Sequence, residues 1–106
     1  MFANIVTTQC QPQDDRKFNT WYNNVHIPML MKFKRLKAVT RYKVVAGPGQ
    51  PVQYATVYYF ATQKALGAFG PSKERAAAVK EMEGTWGDKI KIVGRQQWEQ
   101  LKAWER

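Results

Sequence analysis

Phe18, Trp21, Tyr22, Val25, Met29 and Phe33 recur at helical spacing, so a helix over this stretch carries one continuous apolar stripe. Such a stripe must be laid against something apolar, which commits this part of the chain to a layered packing. Pro28 interrupts it. Proline lacks the amide that would bond back to Asn24, and its ring disfavours helical geometry at Ile27. The sequence therefore predicts that the helix kinks or restarts near His26, the only histidine in the chain. That places the imidazole at a corner, on the flank of the stripe and five residues past Trp21. Backbone groups freed at such a corner can open a pocket.

The rest of the chain bounds what this helix can pack on. At 106 residues it is one domain with room for a single core. Four Trp, five Tyr and five Phe argue for a folded globule. No run approaches the roughly 18 apolar residues of a membrane span. The start, Met1 to Val6, shows no basic leader or signal-like block. A lone Cys10 excludes an internal disulfide and a cysteine-cluster metal site, so a soluble, cytoplasmic protein is expected. The net charge of +9 is uneven: from Arg16 to Lys73 there are ten basic residues and no acid. Its densest part is Lys32, Lys34, Arg35, Lys37, Arg41 and Lys43. A field of this kind favours anionic partners, and equally serves as a solvated face.

Taken in order, Phe2 to Thr8 reads as a β-branched strand. Asp14 or Asp15 is placed to cap the helix that follows, which runs to about Val25 and continues over Met29 to Phe33. Leu36 to Ala46 alternates as a strand, with Leu36, Ala38, Thr40, Tyr42 and Val44 on one face and Lys37, Val39, Arg41 and Lys43 on the other. A Gly-Pro turn at 47–51 leads to the strand Val52 to Ala61. Ala65, Leu66 and Phe69 mark a short helix ended by Gly70-Pro71. Ser72 caps a second helical piece, Lys73 to about Glu83. A loop over Gly84 to Asp88 precedes the last strand, Ile90 to about Trp98.

Strand, helix, strand, strand, helix, strand is the ferredoxin-like order, an α+β fold. It gives a four-stranded antiparallel sheet with helices on one face and leaves the other face uncovered. Apolar sheet surface left in water costs about 25 cal/mol per Å². A homodimer, with two sheets packed face to face into an α+β barrel, removes that cost.

The run Trp21-Tyr22-x-x-x-His26-x-Pro28-Met29-Leu30, followed by basic residues and Arg41-Tyr42, resembles the EthD-like branch of the dimeric α+β barrel superfamily. The aromatic strand Tyr54 to Phe60 and Trp86-Gly87 before the last strand add to the likeness. The resemblance implies a homodimer with one small pocket per protomer, between the sheet and the first helix, entered by His26. It further implies a small cofactor-independent enzyme, or an accessory protein, acting on an aromatic, lactone or polyketide-like carbonyl compound. Isomerase, cyclase and decarboxylase-like activities fall within that scope. The departure from the family is the basic cluster around Lys34, which points to an anionic substrate.

On this reading His26 is the acid–base residue, since an ordinary imidazole titrates near 6.5. Arg41 or Tyr22 would stabilise the developing oxyanion, while Trp21, Tyr42, Tyr58 and Trp86 would contact substrate. The competing readings are a His26 bonded to backbone at the Pro28 kink, Trp21 as plain core, and Arg41 as a solvent-facing residue. No cofactor or metal is expected from one histidine, one cysteine and no paired carboxylates. Haem held by His26 alone is a lesser alternative. A non-catalytic ligand-binding dimer is another, and an RNA-binding module a third. The last rests on Tyr54, Ala55, Val57 and Tyr59, a loose match to the aromatic strand of RNA-recognition domains that lacks its basic-Gly start and has Thr56 where a stacking aromatic belongs.

Overall fold

The computed structural model describes all 106 residues. Strand β1 (Phe2–Cys10) is followed by a 3-10 turn, Pro12–Asp14, and a helical body in three parts: α1 (Asp15–Trp21), a π-turn (Tyr22–His26) and α2 (Ile27–Leu30). Strands β2 (Leu36–Lys43) and β3 (Tyr54–Phe60) come next, then α3 (Gln63–Phe69), α4 (Lys73–Trp86), a 3-10 turn over Gly87–Lys89, and β4 (Ile90–Glu99). The sheet order is β2-β3-β1-β4, antiparallel throughout, which is the expected ferredoxin-like α+β fold.

Helices cover one face only. Val6, Tyr58, Phe60 and Leu36 from the sheet pack with Leu30, Ala65, Leu66, Phe69 and Ala78 from the helices. A second cluster joins Phe18, Trp21, Tyr22, Tyr54 and Trp86 at one end of the same layer. Two caps hold the second helical segment. The Thr62 hydroxyl accepts from the Ala65 amide at 3.1 Å, and Ser72 accepts from Arg75 at 3.2 Å.

Three local expectations are corrected. Asp14 precedes α1 without a side-chain cap, and the Asp15 carboxylate instead accepts from the Tyr54 hydroxyl at 2.6 Å, tying α1 to β3. Helix α4 does not stop at Glu83: burial of Trp86 against Phe18 and Trp21 draws Gly84 and Thr85 into a last turn. Gly87, at φ +56°, then ends the helix in a conformation other residues rarely take. The simple alternation assumed for β2 also fails. A bulge between Leu36 and Ala38 puts Leu36, Val39 and Arg41 on the same, helix-facing side, paired with Phe60, Tyr58 and Thr56.

The opposite face of the sheet has no helix over it. Ala3, Ile5 and Val57 form a small apolar cluster there with Tyr59 against it. On the same face Tyr42 and Trp98 stand 52% and 53% exposed. No helix is long and apolar enough to cross a membrane.

Candidate functional site

The site begins with the π-turn. Pro28 was expected to break the helix and push Ile27 out of helical geometry, but Ile27 is helical at φ −61°, ψ −46°. Its amide bonds back five residues to the Tyr22 carbonyl rather than four. The wider turn accommodates the proline, so the helix bulges where a break was expected. Residues five apart on a regular helix point about 140° from each other at 3.6 residues per turn. Across this turn Trp21 and His26 stack instead, 4.9 Å between ring centroids and 27° between planes. His26 thereby moves from the flank of the stripe into the interior, 7% exposed.

Beside the imidazole lies a cavity of about 40 Å³ between the sheet and the helices. Tyr22, His26 and Leu30 form one wall, Tyr58 and Val6 the floor, and Val79 and Met82 of α4 the far side. The Tyr22 and Tyr58 hydroxyls are 3.0 Å apart and hydrogen-bonded. His26 Nδ1 is buried with no hydrogen-bond partner, a costly state that calls for an explanation. Asn4, Arg75 and Arg95 add polar groups to the lining, beside Thr8, Phe69 and Ile92.

Burial, helped by the positive charge of Arg41 and Arg75, lowers the His26 pKa to about 4, although Glu81 pulls the other way. The ring is therefore neutral at pH 7, rather than the freely titrating group assumed from an ordinary pKa. Glu81, on α4, accepts from Trp21 Nε1 at 2.9 Å and so fixes the ring that His26 stacks on. Burial likewise holds the Tyr58 hydroxyl well above its ordinary pKa, keeping it a neutral donor.

Three of the residues singled out from sequence meet in the cavity: His26, Tyr22 and Tyr58. Trp21 supports His26 from the side, and Trp86 packs edge-on to Trp21 one ring further out. Arg41 sits on the other face of Tyr22, 4.2 Å from the ring centroid, donating to Asn19 and Asn23 Oδ1 at 3.0 and 2.9 Å. It is half-buried on the helix-facing side of β2 and does not line the cavity. Tyr42 is on the open sheet face, far from the imidazole.

Asn4, Arg75 and Arg95 went unnoticed in the sequence. Arg95 reaches the cavity because a bulge between Thr7 and Thr8 shifts β4, so that Ile92 and Arg95 share the helix-facing side despite their odd spacing. Of the aromatic strand, Tyr54 points into the helix layer, while Ala55, Val57 and Tyr59 line the open face. No three His, Cys, Asp or Glu side chains converge to hold a metal ion. The hollow of about 40 Å³ beside His26 does not fit a porphyrin.

A four-stranded antiparallel sheet with helices on one face, and an unpaired histidine and a tyrosine pair in one small cavity, define the class: an α+β domain of ferredoxin-like fold. The chain belongs to the family described as "Domain of unknown function (DUF4286)", whose family model matches residues 1–97. Its fold is similar to that of an EthD family protein from Bacillus halodurans C-125, at TM-score 0.72 and 19% identity over 95% of this chain and 100% of that one. HapK from Hahella chejuensis gives TM-score 0.75 at 16% identity, covering 100% of this chain and 98% of its own. A dimeric ferredoxin-like protein from an uncultured marine organism gives 0.71 at 9% identity, over the whole of both chains. At such identities the likeness establishes the fold alone. Among curated proteins, none matches the chain by sequence.

Proposed function

We propose that this protein is a small cofactor-independent enzyme that binds a carbonyl compound at His26 and moves a proton on the carbon beside the carbonyl. The observation that carries the reading is a buried, neutral, unpartnered imidazole sharing one cavity with a hydroxyl pair. In the step, an imidazole nitrogen takes the proton from the α-carbon. The C–H electron pair moves into the carbonyl as an enolate, whose oxygen accepts from the Tyr22–Tyr58 pair. Returning the proton to a neighbouring atom completes an isomerisation, and loss of a carboxyl or closure of a ring are variants of the same enolate chemistry. The Trp21 stack holds the base in place, and Arg41 acts as a positioning residue through Tyr22.

The acting form is a homodimer. Ala3, Ile5, Val57, Tyr59, Tyr42 and Trp98 make the open sheet face apolar, and a second copy laid on it would remove that surface from water. One of the solved structures of similar fold is described as dimeric. A single unpaired Cys10 suits a reducing cytoplasm.

Exchange of α-protons into D₂O across a panel of aromatic ketones, lactones and β-keto esters tests the activity. Wild type exchanges at least one, and His26→Ala loses that exchange while keeping fold and ligand affinity. Full exchange by His26→Ala would remove the mechanism. Binding without exchange in the wild type would leave a ligand-holding protein instead.

A further inference from the structure

The cavity at His26 opens beside a much larger cleft of about 530 Å³, lined by Asn4, Leu66, Gly67, Phe69, Gly70, Arg75, Arg95, Gln96 and Gln97. Asn4, Phe69, Arg75 and Arg95 line both spaces. A molecule lying in the outer cleft with one end toward His26 therefore passes along Arg75 and Arg95. Arg75 projects from the first turn of α4 and Arg95 from β4, paired across the sheet with Val6. Neither side chain takes part in the hydrogen bonds that tie down other polar groups, whereas Arg41 is bound to two asparagines. Glu81 and Asp15 of the helix layer are occupied by Trp21 with Thr85 and by Tyr54, while Glu74, next to Arg75 in sequence, has one carboxylate oxygen buried without a hydrogen-bond partner.

We propose that Arg75 and Arg95 form an anion clamp at the junction of the two spaces, which selects aromatic compounds bearing a carboxylate. The inference rests on the reading of the His26 cavity as a ligand site and adds the substrate class. Two forked guanidinium groups match the paired oxygens of a carboxylate. Leu66 and Phe69 supply an apolar wall beside it for a ring. Gly67 and Gly70 leave that wall open: a Cβ built on either would meet nothing within 4 Å. The inner space of about 40 Å³ admits only a few atoms, so the carbonyl end enters while the ring stays in the outer cleft. Anion binding also has an electrical consequence. Arg75 and Arg41 disfavour a charged His26 while Glu81 favours it, with Tyr22 and Tyr58 facing the ring, and an anion on Arg75 offsets the first of these. The base is strengthened when the right substrate is present.

The test uses benzoate, neutral benzamide and inorganic phosphate, read by titration calorimetry and by the NMR signal of the sole histidine. The expected result is benzoate binding at least about tenfold tighter than benzamide, with the His26 titration moved upward. Arg75→Gln and Arg95→Gln each abolish the preference for benzoate over benzamide. Gly67→Leu, a substitution the helix tolerates, weakens benzoate without lowering folding stability. Equal affinity for benzoate and benzamide, with the His26 signal moving for both, overturns the clamp and leaves the ligand site standing. Phosphate competing as strongly as benzoate overturns the carboxylate selectivity. If no probe moves the His26 signal, the ligand site fails and the clamp with it.

Discussion

Trp21 and His26 stack face to face at 4.9 Å although five residues separate them, because the turn between them is a π-turn. The stack buries the imidazole and strips it of water, and this lowers its pKa to about 4. A neutral imidazole is thus held in the cavity wall at neutral pH.

Stability follows from that pKa. The unfolded chain takes up a proton on His26 near 6.5, while the folded protein resists until about pH 4. Between those values the unfolded state binds more protons, so acidification destabilises the fold. The loss over this window is about 3 kcal/mol at roughly 1.4 kcal/mol per pKa unit. Urea melts at steps from pH 7 to 4 should show wild type losing that much more than His26→Phe. Parallel losses, or an NMR pKa near 6.5, would refute the burial effect.

The tyrosine pair is expected to behave as a unit. Tyr58→Phe leaves the Tyr22 hydroxyl buried without its partner and should cost about 1–2 kcal/mol. Tyr22→Phe should cost about the same, and the double variant less than the sum of the two. Chemical denaturation of all four proteins closes the cycle, and strict additivity would mean that the hydroxyls are not coupled.

Arg41 is predicted to matter for stability more than for charge. Its guanidinium lies 4.2 Å from the Tyr22 ring centroid and donates to two asparagines of the first helical body. Arg41→Ala should lose about 2 kcal/mol. Arg41→Lys should restore little, since an ammonium cannot span both acceptors and stack as well. A lysine variant as stable as wild type would show that only the charge counts.

On the open sheet face, Tyr42→Glu and Trp98→Glu change side chains already more than half exposed in the protomer. Their folding should be intact, as judged by circular dichroism. Light scattering after size exclusion should then give a dimer for wild type and a halved mass for the pair of substitutions. A wild-type monomer at micromolar concentration would remove the dimer.

The order of elements was readable because each depends on local pattern. Apolar spacing marks the first helix, β-branched and aromatic runs mark the strands, and Thr62 and Ser72 stand where caps belong. The EthD-like motif around His26 pointed to the right fold, and His26, Tyr22 and Tyr58 do share a cavity. Arg41, Tyr42 and Trp86 do not reach it. Arg41 is on the helix-facing side of the sheet but is held by Asn19 and Asn23 on the first helical body. Arg95 was passed over because a bulge shifts β4. Arg75 gave no sign in sequence, since a basic residue in the first turn of a helix reads as solvent-facing.

By itself the sequence determined the ferredoxin-like arrangement and pointed to the stretch that walls the small cavity, because periodicity and turn residues act over a few neighbours. Only the tertiary structure decided which side chains meet. One extra residue in a helical turn, and one in each of two strand pairings, rotates everything beyond it to a new face. Trp21 and Leu36 beside two of them are buried against partners distant in sequence, energies that no local pattern records.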